Sequence, residues 1–133
     1  MSSPKPKVVY CGIRRTKRVL RVIDGDSKAL DPRFDLMSHS PTGMEWGYNG
    51  SGAAQLALAL AAAATGDDEL AVRVYQDLKL DLVSKLGDQW SLTRAEVLEA
   101  VKHAEAKFAA RRQPRGAFNP SLSTPNKPTG VLL

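Results

Sequence analysis

Cysteine and histidine are scarce in this chain of 133 residues, and each scarcity excludes a kind of site. The one cysteine, Cys11, cannot form an internal disulfide, which is typical of a reducing compartment. The two histidines, His39 and His103, lie far apart with no further ligands at suitable spacing. We therefore expect no metal site and no cofactor.

Long apolar runs are missing too. The longest, residues 56–64, is far shorter than the ~20 residues that cross a bilayer. Residues 1–7 lack the apolar stretch of a signal peptide. The sequence therefore predicts a soluble cytoplasmic protein that does not contact a membrane.

Acidic residues are absent from the first 23 positions, which carry seven cations. Residues 24–109 have a net charge of −6, and residues 110–133 add four more cations. Basic segments on both sides of an acidic body favour attraction to phosphate backbones or acidic partners, unless the segments neutralise one another across the fold. The candidate polyanion-binding residues are Lys5, Lys7, Arg14, Arg15, Lys17, Arg18, Arg21, Arg111, Arg112 and Arg115.

The N-terminal third has the alternating pattern of β-strands. Residues 7–14 and 18–23 alternate β-branched with other residues, and a polar loop separates them. Asp24 and Gly25 form a strong turn signal, after which residues 27–30 can form a short third strand. The sequence thus predicts a three-stranded antiparallel meander.

Three helices are predicted to cover this meander. The first, residues 52–64, is almost wholly Ala and Leu and should be the buried central helix. The second covers residues 67–86, with acids in its first turn and Gly87 after its end. The third begins at Thr93, which forms a capping box with Glu96, and Trp90 lies at the junction of the last two. The expected fold class is therefore α+β.

The C-terminal residues 111–133 are rich in Pro and lack any periodic pattern. We expect a flexible N-terminus at residues 1–6, one α+β domain at 7–110, and a Pro-rich basic tail at 111–133. The apolar Phe118 and residues 131–133 could anchor this tail on a neighbouring subunit.

Between the predicted meander and the first helix lies a glycine-rich loop. Glycines let a ligand approach the backbone closely, and the first amides of a helix attract anions. The loop could therefore hold a nucleotide or phosphorylated small molecule, although it matches no known phosphate-binding motif. The alternative is structural, with Trp46 in the core and Ser51 as an N-cap. The candidate residues are Trp46, Gly47, Tyr48, Asn49, Gly50, Ser51 and Gly52.

Residues 46–59, with the sequence WGYNGSGAAQLALA, resemble the signature W-G-Y-G-G-S-G-P-A-Q-L-A-L-A of an uncharacterised domain family. That family is found in phages, plasmids and bacterial chromosomes. The likeness spans most of residues 7–101, including residues 38–41, 75–79 and 90–93. Asn49 and Ala53 replace a Gly and a Pro of the signature. The resemblance implies a shared fold and an origin in a mobile element. If the chain is encoded by a phage, the expected location is the cytoplasm of the host cell.

These features favour a non-enzymatic accessory protein of phage or plasmid type, with no catalytic residues. Its expected partner is nucleic acid, or an acidic host protein that handles nucleic acid or acts in defence. No helix-turn-helix or zinc finger pattern is present, so sequence-specific readout is not indicated. The alternatives are a phosphorylated-ligand binder that uses the glycine-rich loop and a structural subunit anchored by its tail.

Overall fold

A computed structural model describes residues 7–40 and 43–112 of the chain. These residues have an α+β fold, in which a four-stranded antiparallel sheet is combined with three helices. The elements in chain order are β1 (Val8–Ile13), β2 (Arg18–Ile23), β3 (Asp26–Ala29), α1 (Ser51–Thr65), α2 (Asp68–Asp81), a 3-10 turn (Val83–Lys85), β4 (Gln89–Thr93) and α3 (Arg94–Arg112).

The strands lie in the order β3-β2-β1-β4. β1 and β2 form the predicted hairpin, with Val8 opposite Ile23 and Ile13 opposite Arg18. Gly25 has φ +86°, a conformation that an L side chain rarely adopts, and it supplies the tight turn into β3. The first three strands therefore follow the predicted meander.

The prediction of three strands was wrong, because residues 89–93 form a fourth. β4 pairs with β1 along the edge that the meander leaves free, and Trp90 lies opposite Gly12. Trp90, predicted as a junction residue, is thus a strand residue whose indole packs into the core. The hydrogen-bond partners of β4 lie almost 80 residues earlier in the chain, and a local pattern does not show pairing of that kind.

Helix α1 is buried on all sides, as predicted, and all eleven consecutive residues from Gly52 to Ala62 are buried. It packs between the sheet and the other two helices. Gly66 ends it in the left-handed conformation, with its amide bonded to the Ala62 carbonyl. This helix forms the centre of the hydrophobic core.

Helix α2 is shorter than predicted, because it ends at Asp81. The 3-10 turn that follows buries Val83 in the core, and Leu86 then enters an extended segment that leads to β4. The predicted capping box of α3 is confirmed. The Thr93 amide donates to the Glu96 carboxylate (2.8 Å), and the Glu96 amide donates to the Thr93 hydroxyl (3.1 Å).

The helices cover one face of the sheet, which we call the helix face. Tyr10, Val19 and Trp90 point from this face into the core. We call the opposite face the open face, because its apolar residues are not part of the core. By strand register it comprises Val9, Cys11, Ile13, Arg18, Leu20, Val22, Ser27, Ala29, Gln89, Ser91 and Thr93.

The predicted termini fall largely outside the described residues. Arg111 and Arg112, assigned to the tail, are the last residues of α3. Residues 1–6 and 113–133 are not described. Within the described ranges, every helix is too short or too polar to cross a membrane.

Candidate functional site

Arg14, in the loop of the β1–β2 hairpin, is held by internal contacts. Its Nε donates to Asp88 (2.8 Å), its Nη2 donates to the Trp46 carbonyl (3.1 Å), and Nη1 lies 3.7 Å from Glu45. Its guanidinium also stacks on the Trp46 ring, 5.2 Å from the ring centroid. The Arg14 side chain therefore connects the hairpin to the glycine-rich loop. Its charge is used within the protein and is not available to a partner.

Two more of the predicted cations are also paired. Lys17 forms an ion pair with Glu45 (3.1 Å). Arg111 donates to both carboxylate oxygens of Asp77 on α2 (3.1 and 2.6 Å), and this bond raises the pKa of the guanidinium. This pairing holds the end of α3 against α2 and leaves the charge of Arg111 neutralised.

Four predicted cations stay free of ion pairs with the described part of the chain: Lys7, Arg15, Arg18 and Arg21. Arg18 lies on the open face, whereas Arg21 lies on the helix face, because successive strand residues alternate. Arg112 is the last residue of α3, and Lys5 and Arg115 lie outside the described residues.

Arg21 lines two cavities at the β3 edge of the sheet. The larger, about 280 Å³, lies between the sheet and α1, with Leu30 and Ala59 in its wall. The smaller, about 170 Å³, is lined by Arg21, Lys28 and Asp26. We call the two together the Arg21 cleft. Lys28 stands directly opposite Arg21 across the β2–β3 ladder, so two like charges face each other there.

Arg94 is a further cation close to Tyr10, the residue opposite Arg21 on β1. It donates from Nε to the Ala64 carbonyl at the end of α1 (2.8 Å). Both Arg94 and Arg21 act on the buried Tyr10, whose pKa is raised by burial and lowered in part by these two charges. Sequence reasoning missed Lys28 and Arg94, because both come from the segment whose net charge is acidic.

Arg33 also lines the larger cavity, but its charge is neutralised. It makes two hydrogen bonds with Asp35 (3.0 and 3.0 Å) and two with Asp68 (3.0 and 2.8 Å). These bonds raise the pKa of Arg33 and lower the pKa of Asp35 and Asp68. The cluster connects the loop after β3 to the first turn of α2.

This cluster should make the stability of the fold depend on pH in the acidic range. Because the pKa of Asp68 is lowered by folding, its contribution is present above the unfolded-state pKa of about 3.9 and is lost as the pH falls further. We expect Asp68→Asn to lower the melting temperature at pH 7 and the difference from wild type to shrink at pH 3. Glu69→Gln is the control in the same first turn. A difference that is equal at both pH values would contradict the assignment.

The glycine-rich loop is built around Trp46, which is 1% exposed. Its Nε1 donates to the Gly87 carbonyl (2.7 Å), and its ring meets Trp90 edge to face, with centroids 5.8 Å apart. The structural alternative is therefore correct for Trp46, which lies in the core and offers no stacking surface to a ligand.

The loop glycines accommodate neighbouring side chains. A Cβ on Gly47, which has φ +83°, would lie 2.6 Å from Nη2 of Arg14. A Cβ on Gly50 would lie 2.5 Å from the Tyr48 ring, and one on Gly52 would lie 2.6 Å from the Glu45 Cβ. The glycines suggested that a ligand could approach the backbone closely. In the structure, side chains of the same chain fill that space instead.

Gly50, not Ser51, is the N-cap of α1, and it provides no side-chain hydrogen bond. Tyr48 is 51% exposed, and Asn49 and Ser51 are exposed as well. Glu45, which lies against Gly52 at this helix end, already pairs with Arg14 and Lys17, so it holds two nearby cations that an anion would need. A ligand at this loop stays a prediction.

The profile of a protein family matches residues 10–103 of the chain. The chain belongs to the family of unknown function DUF6166. No curated protein and no solved structure matches it. The DUF6166 match includes the hairpin, the glycine-rich loop and the Arg21 cleft, but it excludes Lys5, Lys7, Arg111, Arg112 and Arg115.

Gln55 lies within the part of the chain that matches DUF6166, and the sequence analysis did not predict its role. It is 0% exposed within the Ala and Leu helix α1. Its Oε1 accepts from the amides of His39 (2.7 Å) and Ser40 (3.3 Å), and its Nε2 donates to the carbonyls of Pro32 (2.6 Å) and Met37 (3.0 Å). The sequence did offer a signal for this role, because Gln55 is a single polar residue within the apolar run of α1.

Both histidines have structural contacts. The His39 ring packs on Tyr75, with centroids 5.0 Å apart, and His103 pairs with Glu99 (3.2 Å) on the surface of α3. Among residues 7–40 and 43–112, no group of His, Cys, Asp and Glu could hold a metal ion.

Proposed function

We propose that this chain is a non-enzymatic binding protein of a phage or other mobile element and that it contacts nucleic acid through the Arg21 cleft. The mobile-element setting rests on the signature resemblance at residues 46–59. The choice of a polyanionic target rests on the positive charges of the protein that folding leaves unpaired.

The observation that supports the proposal is the pair Arg21 and Lys28. Like charges directly opposite each other on neighbouring strands destabilise a sheet. Neither side chain forms an ion pair with the described part of the chain, and Asp26, which also lines the cleft, is bonded to neither. A phosphate between the two cations would offset their repulsion and accept hydrogen bonds from both.

One further unpaired cation of the hairpin can extend this surface. Arg15 is exposed in the loop before β2, more than about 10 Å along the strand from Arg21, whereas Arg18 lies on the opposite face of the sheet. A nucleic-acid backbone that runs from the Arg21 cleft toward the hairpin loop could therefore also contact Arg15. Such contacts carry no sequence information, which agrees with the absence of a base-reading motif.

Fluorescence anisotropy with labelled single-stranded DNA, duplex DNA and RNA tests the proposal. Arg21→Gln combined with Lys28→Gln should weaken binding by about tenfold. It should lower the slope of log K against log salt by about 1.8 for duplex DNA and about 1.4 for single strands, as expected for two lost phosphate contacts. The matched control is Arg73→Gln combined with Lys102→Gln, which removes two exposed cations from α2 and α3 and gives the same net charge.

Two results would reject nucleic acid as the partner. One is the absence of binding to any of the three probes at about 20 mM salt, where phosphate contacts are strongest. The other is equal weakening by both double variants, which would show a general charge effect. Binding to polyglutamate alone would point instead to an acidic protein.

A further inference from the structure

The centre of the open face is apolar. Val9, Leu20 and Val22 surround the free thiol of Cys11, and Ile13 at the end of β1 is 38% exposed. The three helices pack on the other side of the sheet, and none of these residues joins the buried core. An apolar patch of about 300–600 Å² on a protein surface is often functional, so this face is a candidate interaction site.

The charge of this face indicates what it can bind. Arg18, at one corner, is the one charged residue among its eleven positions, and the face has no carboxylate. A charged partner would lose its water here without gaining compensating bonds. The partner surface must therefore be apolar and nearly neutral, as this face itself is.

We infer that the open face binds the open face of a second copy of this chain. Two sheets with the same twist pack face to face about 10 Å apart, with interdigitating side chains. A two-fold interface uses the same patch on both copies, which an apolar face without opposed charges permits. Because β1 is a central strand, the two Cys11 thiols come close together across the axis.

The size of the face indicates how stable the dimer is. Four strands at about 4.8 Å spacing and six residues at about 3.3 Å each give roughly 20 by 20 Å, about 400 Å² on each copy. A total near 800 Å² lies at the lower limit for specific interfaces. The dimer is therefore reversible and dissociates on dilution.

Sedimentation equilibrium of the full chain tests the dimer directly. Between about 1 µM and about 500 µM the mean mass should rise from 14.4 kDa toward twice that value. Over the same range, the rate at which a maleimide modifies Cys11 should fall several-fold, because the interface covers the thiol. Cys11 is the only cysteine in the sequence, so the labelling is unambiguous.

Substitutions locate the interface. Leu20→Asp should weaken the dimer by about a hundredfold or more, because it buries an unpaired charge. The control, Leu80→Asp, changes an exposed leucine of α2 (46% exposed) and should leave the dimer unchanged. Val22→Thr, which keeps the side-chain shape, should weaken it by a smaller factor. Fluorescence of the buried Trp46 and Trp90 reports whether each variant is folded.

A chain that stays monomeric at all concentrations overturns the inference. So does a dimer that a folded Leu20→Asp variant leaves intact, because another surface then forms it. A monomer whose Cys11 resists maleimide at every concentration also overturns it, since residues of the same chain, such as those at 113–133, would then cover the face.

Discussion

Replacing Gln55 with leucine is expected to lower the free energy of unfolding by about 3–5 kcal/mol, because up to four backbone groups lose a hydrogen-bond partner at ~1–3 kcal/mol for each buried one. The Gln55 amide bonds two N–H groups and two carbonyls of the segment between β3 and the glycine-rich loop. Leucine fills a similar volume but offers neither donor nor acceptor. The segment from Pro32 to Ser40 should therefore no longer be anchored to α1.

Urea denaturation monitored by tryptophan fluorescence measures this effect. Gln76→Leu is the control, since Gln76 is exposed on α2 and its Nε2 donates to the Tyr75 hydroxyl (3.1 Å). We expect this control to change stability by less than about 0.5 kcal/mol. Equal midpoints for Gln55→Leu and wild type would show that the four bonds do not hold the segment.

Replacing Gly12 with alanine should lower the free energy of unfolding by about 1–3 kcal/mol, in the range found for overpacked cores. An added Cβ would lie inside van der Waals contact with the indole ring of Trp90, the residue opposite on β4. Trp90 also packs edge to face on Trp46, so it cannot move without disturbing the core.

A double-mutant cycle assigns this cost to the indole. In a Trp90→Leu background the ring is gone, and Gly12→Ala should then cost less than about 1 kcal/mol. Gly87→Ala is a second control, because a Cβ there meets nothing within 4 Å and its φ is not in the left-handed region. An undiminished cost in the Trp90→Leu background would place the strain in the backbone of β1.

Much of the fold was predictable because its signals are local. The alternation of β1 and β2, the Asp24–Gly25 turn, the apolar α1 and the capping box of Thr93 and Glu96 each depend on residues close together in the chain. Strand β4 and the end of α2 were not predictable in this way. β4 exists because β1 provides a partner edge, and α2 ends early because Val83 is buried elsewhere in the core.

The candidate site shows the same division. The sequence identified the cations and the glycine-rich loop, and it shows that most of the positive charge lies near the two ends of the chain. It could not show that Arg14 would bind Asp88, that Lys17 would bind Glu45 or that Arg111 would bind Asp77. The turn at Asp24–Gly25 does fix Lys28 opposite Arg21, but only the folded chain shows that neither charge is paired.

The sequence by itself determined the α+β class, the elements with local periodicity and the excess of positive charge. The tertiary structure alone decided which charges are neutralised, which glycines accommodate a side chain and which face of the sheet is left open. The physical reason is that ion pairs, close packing and strand pairing depend on distances in space. Residues that are 26 to 74 positions apart along this chain come within hydrogen-bond reach only when it folds.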